Sequence, residues 1–230
     1  MIVNHDTKEA QFKIVYCGTP FGGKTTNLNY IYGQLGPGLR GGLVSIATNQ
    51  DRTLFFDFLP VNATEIGGYQ TRFQLYTVPS QRVYANTREV VLTGVDGIVF
   101  VADSDPERQS ENREAYSAML SALAHHGLDQ ESVPITIQFN KRDLGDAIAP
   151  EDMDESLAVT CASFLACATT GYQVFATLDH VTQAVLKKFH ESQTSIEGRD
   201  ASAARPAPMS AVPRDVEPVS PDADQVVLTS

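Results

Sequence analysis

The sequence predicts an α/β fold in which a mostly parallel sheet, with one antiparallel edge strand, lies between two layers of helices. Three observations carry this. Short β-branched and aromatic runs alternate with helical patterns from about residue 11 to residue 190, as βαβ units require. Two of those runs, 97–102 and 134–139, read as continuous apolar strands covered on both faces. The first run leads straight into a glycine-rich loop and then a helix, the usual opening of a parallel sheet that binds ligands at its strand ends.

Taken in order, residues 1–10 read as an N-terminal extension and Phe12-Lys13-Ile14-Val15-Tyr16-Cys17 as the first buried strand. Apolar residues at helical spacing follow in Thr26-Asn27-Leu28-Asn29-Tyr30-Ile31-Tyr32. Residues 54–59 and 72–78, separated by the Gly67-Gly68 turn, are expected to pair as an antiparallel edge. Residues 107–126 form a helix with Tyr116, Met119, Leu120 and Leu123 on one stripe, and 164–168 a further strand. The fold closes with a helix over 174–189, whose Val174, Leu178, Val181, Val185 and Phe189 share a face. From residue 191 to 230 Ala, Pro, Ser and Asp dominate, with three basic and seven acidic side chains. Such a segment buries too little surface to offset its ordering entropy and is expected to be a disordered acidic tail.

The composition excludes several classes. Hydrophobic residues make up 42% of the 230, yet no apolar run approaches the roughly 20 residues of a membrane-spanning helix. The start shows neither a secretory signal nor Met-Gly, and the end, Val226-Val227-Leu228-Thr229-Ser230, has no prenylation box. A cytoplasmic protein without a direct membrane anchor is expected. The net charge of −11 argues against a nucleic-acid partner. Cys17, Cys161 and Cys167 form no C-x-x-C pair and read as buried thiols, and His125-His126 as a solvated helix end.

Two motifs carry the chemistry. Gly18-Thr19-Pro20-Phe21-Gly22-Gly23-Lys24-Thr25 fits G-x-x-x-x-G-K-[ST], between a strand and a helix as the physics needs. There the loop's backbone N–H groups, with Gly18, Gly22, Gly23, Lys24, Thr25 and Thr26 as the binding positions, and the helix N-terminus make an anion hole for phosphates. Lys24 reaches the β- and γ-phosphates, and Thr25 offers its hydroxyl to Mg²⁺. Asn140-Lys141-Arg142-Asp143 follows the end of a core strand. The Asp143 carboxylate can accept from a guanine's ring N–H and amine together, a donor pair that adenine lacks. Asn140 can donate to the opposite edge of the base, and the Lys141 stem can pack along its plane. A guanine nucleotide is the expected ligand.

With both motifs placed, residues 10–190 resemble the Ras-like small GTPases, and closely the bacterial mutual gliding-motility protein A (MglA) family. The shared stretches include Gly23-Lys24-Thr25-Thr26-Asn27-Leu28, Asp51-Arg52-Thr53-Leu54-Phe55-Phe56-Asp57-Phe58-Leu59-Pro60, Tyr76-Thr77-Val78-Pro79 and Asn140-Lys141-Arg142-Asp143. The resemblance implies a P-loop NTPase with a three-layer Ras-like fold over 11–190, GTP/GDP and Mg²⁺ as cofactors, and a GTPase switch in cell polarity or gliding motility. It further implies that Thr53 gives Mg²⁺ a second hydroxyl, that Arg52 is a built-in arginine finger and that Gln81 orients the attacking water. The backbone N–H of Ala168 would meet the guanine oxygen. A roadblock-domain activator of the MglB type would position Arg52, and other effectors would read segments 37–53 and 79–90.

Three positions qualify the resemblance. Thr77 stands at the usual Walker-B aspartate, as elsewhere in the family. Asp57 is a conceivable substitute, although an exposed edge-strand carboxylate is the plainer reading. Where the family pattern carries glycine, this chain has Pro20 and Ser80. Proline removes an N–H and fixes φ, and a serine forced to positive φ costs about 1 kcal/mol. Both changes favour a second reading beside the switch, a GTP-binding scaffold that does not hydrolyse.

Overall fold

The computed structural model describes residues 1–46, 56–66, 68–78 and 85–197. Among these, eight strands form one sheet, with the path β3-β4-β5-β2-β6-β7-β8. The centre is parallel. β2 (Glu9–Gly18) pairs in parallel with β5 (Tyr69–Thr77) on one side and β6 (Gly97–Asp103) on the other. β7 (Ile135–Asn140) and β8 (Ser163–Leu165) continue the parallel order beyond β6.

The sheet sorts its side chains by the two-residue period of a strand. From β2, Phe12, Ile14 and Tyr16 face α1 (Lys24–Gln34) and α5 (Val174–Glu197), in a core with Leu28, Ile31, Leu178, Val181 and Phe189. Val15 and Cys17 face the opposite way, into a core with Leu92 of α2 (Ala85–Leu92), Met119 and Leu123 of α3 (Gln109–His125), and Met153 of α4 (Pro150–Leu157). Every residue of β6 is buried, as its apolar run predicts for a strand covered on both sides. The three-layer arrangement and the Ras-like P-loop fold therefore stand.

Several boundaries differ from the sequence reading. Residues 1–10 are not an appendage: β1 (Ile2–Asn4) pairs antiparallel with the start of β2, from Ile2 against Gln11 to Asn4 against Glu9. The side chain of Asn4 accepts the N–H groups of Asp6 and Thr7, which makes the tight turn. β4 (Phe56–Ile66) does pair antiparallel with β5, but it is not the edge, because the short β3 (Val44–Ile46) pairs outside it. The predicted strand at 164–168 ends at Leu165, where Ala166, Cys167 and Ala168 peel off into a turn. Pro106 splits a 3-10 turn, Pro106–Arg108, from α3. Finally, α5 runs on past residue 190 to Glu197, with the Ser192 hydroxyl donating back to Phe189 O.

Candidate functional site

The candidate site lies at the C-terminal ends of β2, β6 and β7, where parallel sheets open to ligands. β2 ends in Gly18, whose φ of +135° and approach to β6 exclude any side chain; a Cβ would stand 2.0 Å from Val101 O. The loop then turns on Gly22 N–H to Thr19 O and enters α1 at Gly23, with φ +101°. No side chain caps that helix, so its first N–H groups are open to an anion. Lys24 is buried, and its ammonium donates to the carbonyls of Gly18 and Thr19. Burial lowers the Lys24 pKa to about 8, with Arg88 pushing the same way and the Cys17 sulfur and Asp57 opposing. Pro20 sits in the loop, and the next residue, Phe21, has φ +59° and is 78% exposed.

The second motif connects to the first through one side chain. Asn140, buried at the end of β7, donates from Nδ2 to Gly22 O at 2.8 Å and accepts the Ala168 N–H at 2.9 Å. A Cβ on Gly23 would meet that Nδ2 at 2.2 Å, which is the steric reason for glycine there. Asn140 and Ala168 are thus engaged with each other and with the phosphate loop rather than pointing free into a base pocket, a difference from the sequence reading. Lys141 has φ +67°, and its ammonium lies 2.6 Å from Oδ2 of the fully buried Asp103, so its stem is tied along the mouth of the site. Asp143 is exposed, and the Cys167 thiol donates to its Oδ1 at 3.2 Å. A half-anchored, open carboxylate can accept a pair of donors from a ligand.

Beside the loop, Thr25 is exposed and its hydroxyl donates to Asp57 Oδ2 at 2.6 Å. Asp57 is not the exposed edge carboxylate that its strand suggests; it is 8% exposed. β3 covers it, with the Ser45 hydroxyl donating to Oδ1 at 2.7 Å and the Thr77 hydroxyl to Oδ2 at 3.0 Å. The signal was a single aspartate inside the apolar run around it. A hydroxyl backed by a carboxylate is a hard-oxygen donor set that fits Mg²⁺, which takes few protein ligands and keeps waters. Among the described residues, no group of three or more His, Cys, Asp or Glu side chains could hold a metal ion.

Of the predicted site residues, Gly18, Gly22, Gly23, Lys24, Thr25, Thr26, Asn140, Lys141, Asp143 and Ala168 gather around this one mouth. Arg52, Thr53 and Gln81, with Ser80, lie outside the described residues. Asp103, Gln138 and Asn27 were missed. Cys17, under the loop, is held as a neutral thiol, its pKa raised by burial to about 12.

No protein-family model matches the chain. The mutual gliding-motility protein MglA of Myxococcus xanthus (strain DK1622) is 46% identical over 185 residues, covering 80% of this chain and 95% of that protein. The small COPII coat GTPase SAR1 of Giardia intestinalis is 34% identical over 89 residues, covering 38% of this chain and 44% of that protein.

Proposed function

The chain belongs to the MglA family of Ras-like small GTPases, and from this we propose that it is a guanine-nucleotide switch that hydrolyses GTP to GDP and phosphate. The observation that carries the proposal is Asn140, which ties the phosphate loop at Gly22 to the base loop at Ala168. Phosphate and base are then read by one rigid unit. Gly18, Gly23, Lys24 and the α1 N-terminus hold the phosphates. Asp143, steadied by Cys167, selects guanine over adenine.

Thr25 and Asp57 are the described residues that would hold Mg²⁺, Thr25 directly and Asp57 through the Thr25 hydroxyl and waters. Bound there, the ion supplies neutralisation of charge on the β- and γ-phosphate oxygens. Thr53 is proposed as its second hydroxyl ligand, Arg52 as the finger that stabilises transition-state charge, and Gln81 as the residue that orients water. Asp57 takes the place of the Walker-B carboxylate that Thr77 does not provide.

The relative's name carries gliding motility, and the family resemblance adds cell polarity. We assign the switch to cell polarity or gliding motility in the cytoplasm, with a roadblock-domain activator and further effectors that bind the GTP form. Among the described residues, no helix is long and apolar enough to cross a membrane.

The test combines affinities for GTP, GDP and ATP with single-turnover hydrolysis, with and without a roadblock-domain partner. Guanine-selective binding and partner-stimulated turnover are expected. Binding without any turnover above solvent background would leave only a scaffold, and equal affinity for ATP would overturn the guanine reading.

A further inference from the structure

The face of β7 that packs beneath α1 and α5 is polar throughout. Thr136, Gln138 and Asn140 alternate along it, each no more than 2% exposed. The opposite face, with Ile135, Ile137 and Phe139, is ordinary core. Each polar residue has a distinct partner. Thr136 Oγ1 meets Nδ1 of His180 on α5, Gln138 Nε2 donates to Asn27 Oδ1 on α1 at 2.9 Å, and Asn140 Nδ2 donates to Gly22 O. Asn27 in turn donates from Nδ2 to Gly23 O at 2.9 Å, a second bond to the carbonyl that already accepts the Asn27 backbone N–H at 2.9 Å.

Two carboxamide struts therefore rise from alternate positions of one strand to successive carbonyls of the phosphate loop. Asn140 reaches Gly22 O directly, and Gln138 reaches Gly23 O through Asn27. A trans peptide is planar, with its C=O and the following N–H pointing in opposite directions. Pinning Gly22 O inward aims the Gly23 N–H outward, and pinning Gly23 O aims the Lys24 N–H outward. Those N–H groups face the anion hole. The second strut is made at a cost, because Gln138 Oε1 has no hydrogen-bond partner among the described residues although the side chain is fully buried. An orphaned buried acceptor costs free energy that an apolar residue at 138 would not.

We propose that Asn27 and Gln138 are positioning residues for phosphate binding, acting together on the peptide between Gly23 and Lys24. This rests on the guanine-nucleotide reading above. It assigns the Lys24 N–H to the Gln138–Asn27 strut, which reinforces the helix's own bond from Asn27 N–H to Gly23 O, and the Gly23 N–H to Asn140.

The experiment uses the full chain with Asn27→Leu and Gln138→Met combined. This removes both partners with little change of volume, which leaves stability nearly neutral. Release of a fluorescent GDP analogue is expected to be about tenfold faster, equivalent to about 1.4 kcal/mol. In amide ¹H–¹⁵N spectra of the GDP-loaded protein, the Lys24 N–H should shift while the Gly23 N–H stays in place, and the GDP-to-ADP preference should not change. Should the double variant not fold, Gln138→Met alone carries the same spectral readout. Wild-type release, or a Lys24 N–H that does not move, would overturn the proposal. A wild-type chain that binds no GDP would overturn the functional reading instead.

Discussion

The Thr25 hydroxyl donates a 2.6 Å hydrogen bond to Oδ2 of Asp57, 32 residues further on. Thr25 sits in the first turn of α1, and Asp57 sits on β4, which is antiparallel to its neighbour β5. A carboxylate behind a phosphate-loop hydroxyl normally comes from the parallel strand next to the loop. Here that strand ends in Thr77, which bonds to Asp57 twice, donating to Oδ2 and accepting the Asp57 N–H. The charge has moved one strand outward, and Thr77 holds it in place.

Asp57→Asn is therefore expected to weaken Mg²⁺ binding by about 10–100-fold, the usual cost of losing a partner behind a metal ligand. The measurement is the Mg²⁺ concentration that half-slows release of a fluorescent GDP analogue. Thr77→Asp alone should not improve matters, since it sets a second carboxylate beside the first in a buried place. Combined with Asp57→Asn, it should recover most of the loss. An unchanged Mg²⁺ dependence in Asp57→Asn would remove Asp57 from the site.

Asp143→Asn tests base selection. Two hydrogen bonds to a charged acceptor at about 1.5–3 kcal/mol each set the loss of GDP affinity at roughly a hundredfold or more. ADP binding, weak at the start, should hardly change. Cys167→Ser keeps a donor to Asp143 and should retain most of the affinity, whereas Cys167→Ala should lose several-fold. Titration calorimetry of the three variants decides it.

The sheet was largely legible because its strands are apolar enough to announce burial: 97–102 lies within β6, and 12–17 within β2. The site's ends were legible because Gly18, Lys24 and Asp143 follow from local chemistry at fixed spacing. The burial of Asp57 was not, since it depends on Ser45 and Thr77, brought to it by register rather than by sequence. Gln138 and Asn27 stand 111 residues apart, and a glutamine in an apolar run says nothing about its partner. β1 and β3, three residues each, are too short to show a period.

Arg52→Ala addresses turnover. If the guanidinium stabilises transition-state charge, single-turnover hydrolysis with a roadblock-domain partner should fall by about a thousandfold or more. GTP affinity should stay within a few-fold of wild type, because a finger acts on the transition state rather than on the ground state. A parallel loss of affinity and rate would make Arg52 a binding residue only. Pro20→Gly with Ser80→Gly, in the wild-type background, should raise turnover if the two departures act as brakes.

The buried ammonium of Lys24 predicts how binding depends on pH. Without nucleotide its pKa is lowered to about 8, mainly by burial. Phosphates placed beside it favour the charged form and raise that pKa. The complex therefore holds a proton that the free protein loses as pH rises through about 8. Below that pH, affinity for GDP should be flat; above it, affinity should fall by up to about tenfold per pH unit until the raised pKa is reached. Calorimetry from about pH 7 to about pH 9.5 spans the window. Lys24→Arg, whose guanidinium keeps its charge throughout, separates this effect from titration of the base itself. Its profile should lack the break near pH 8, and a break of equal size in both proteins would show that Lys24 is not its source.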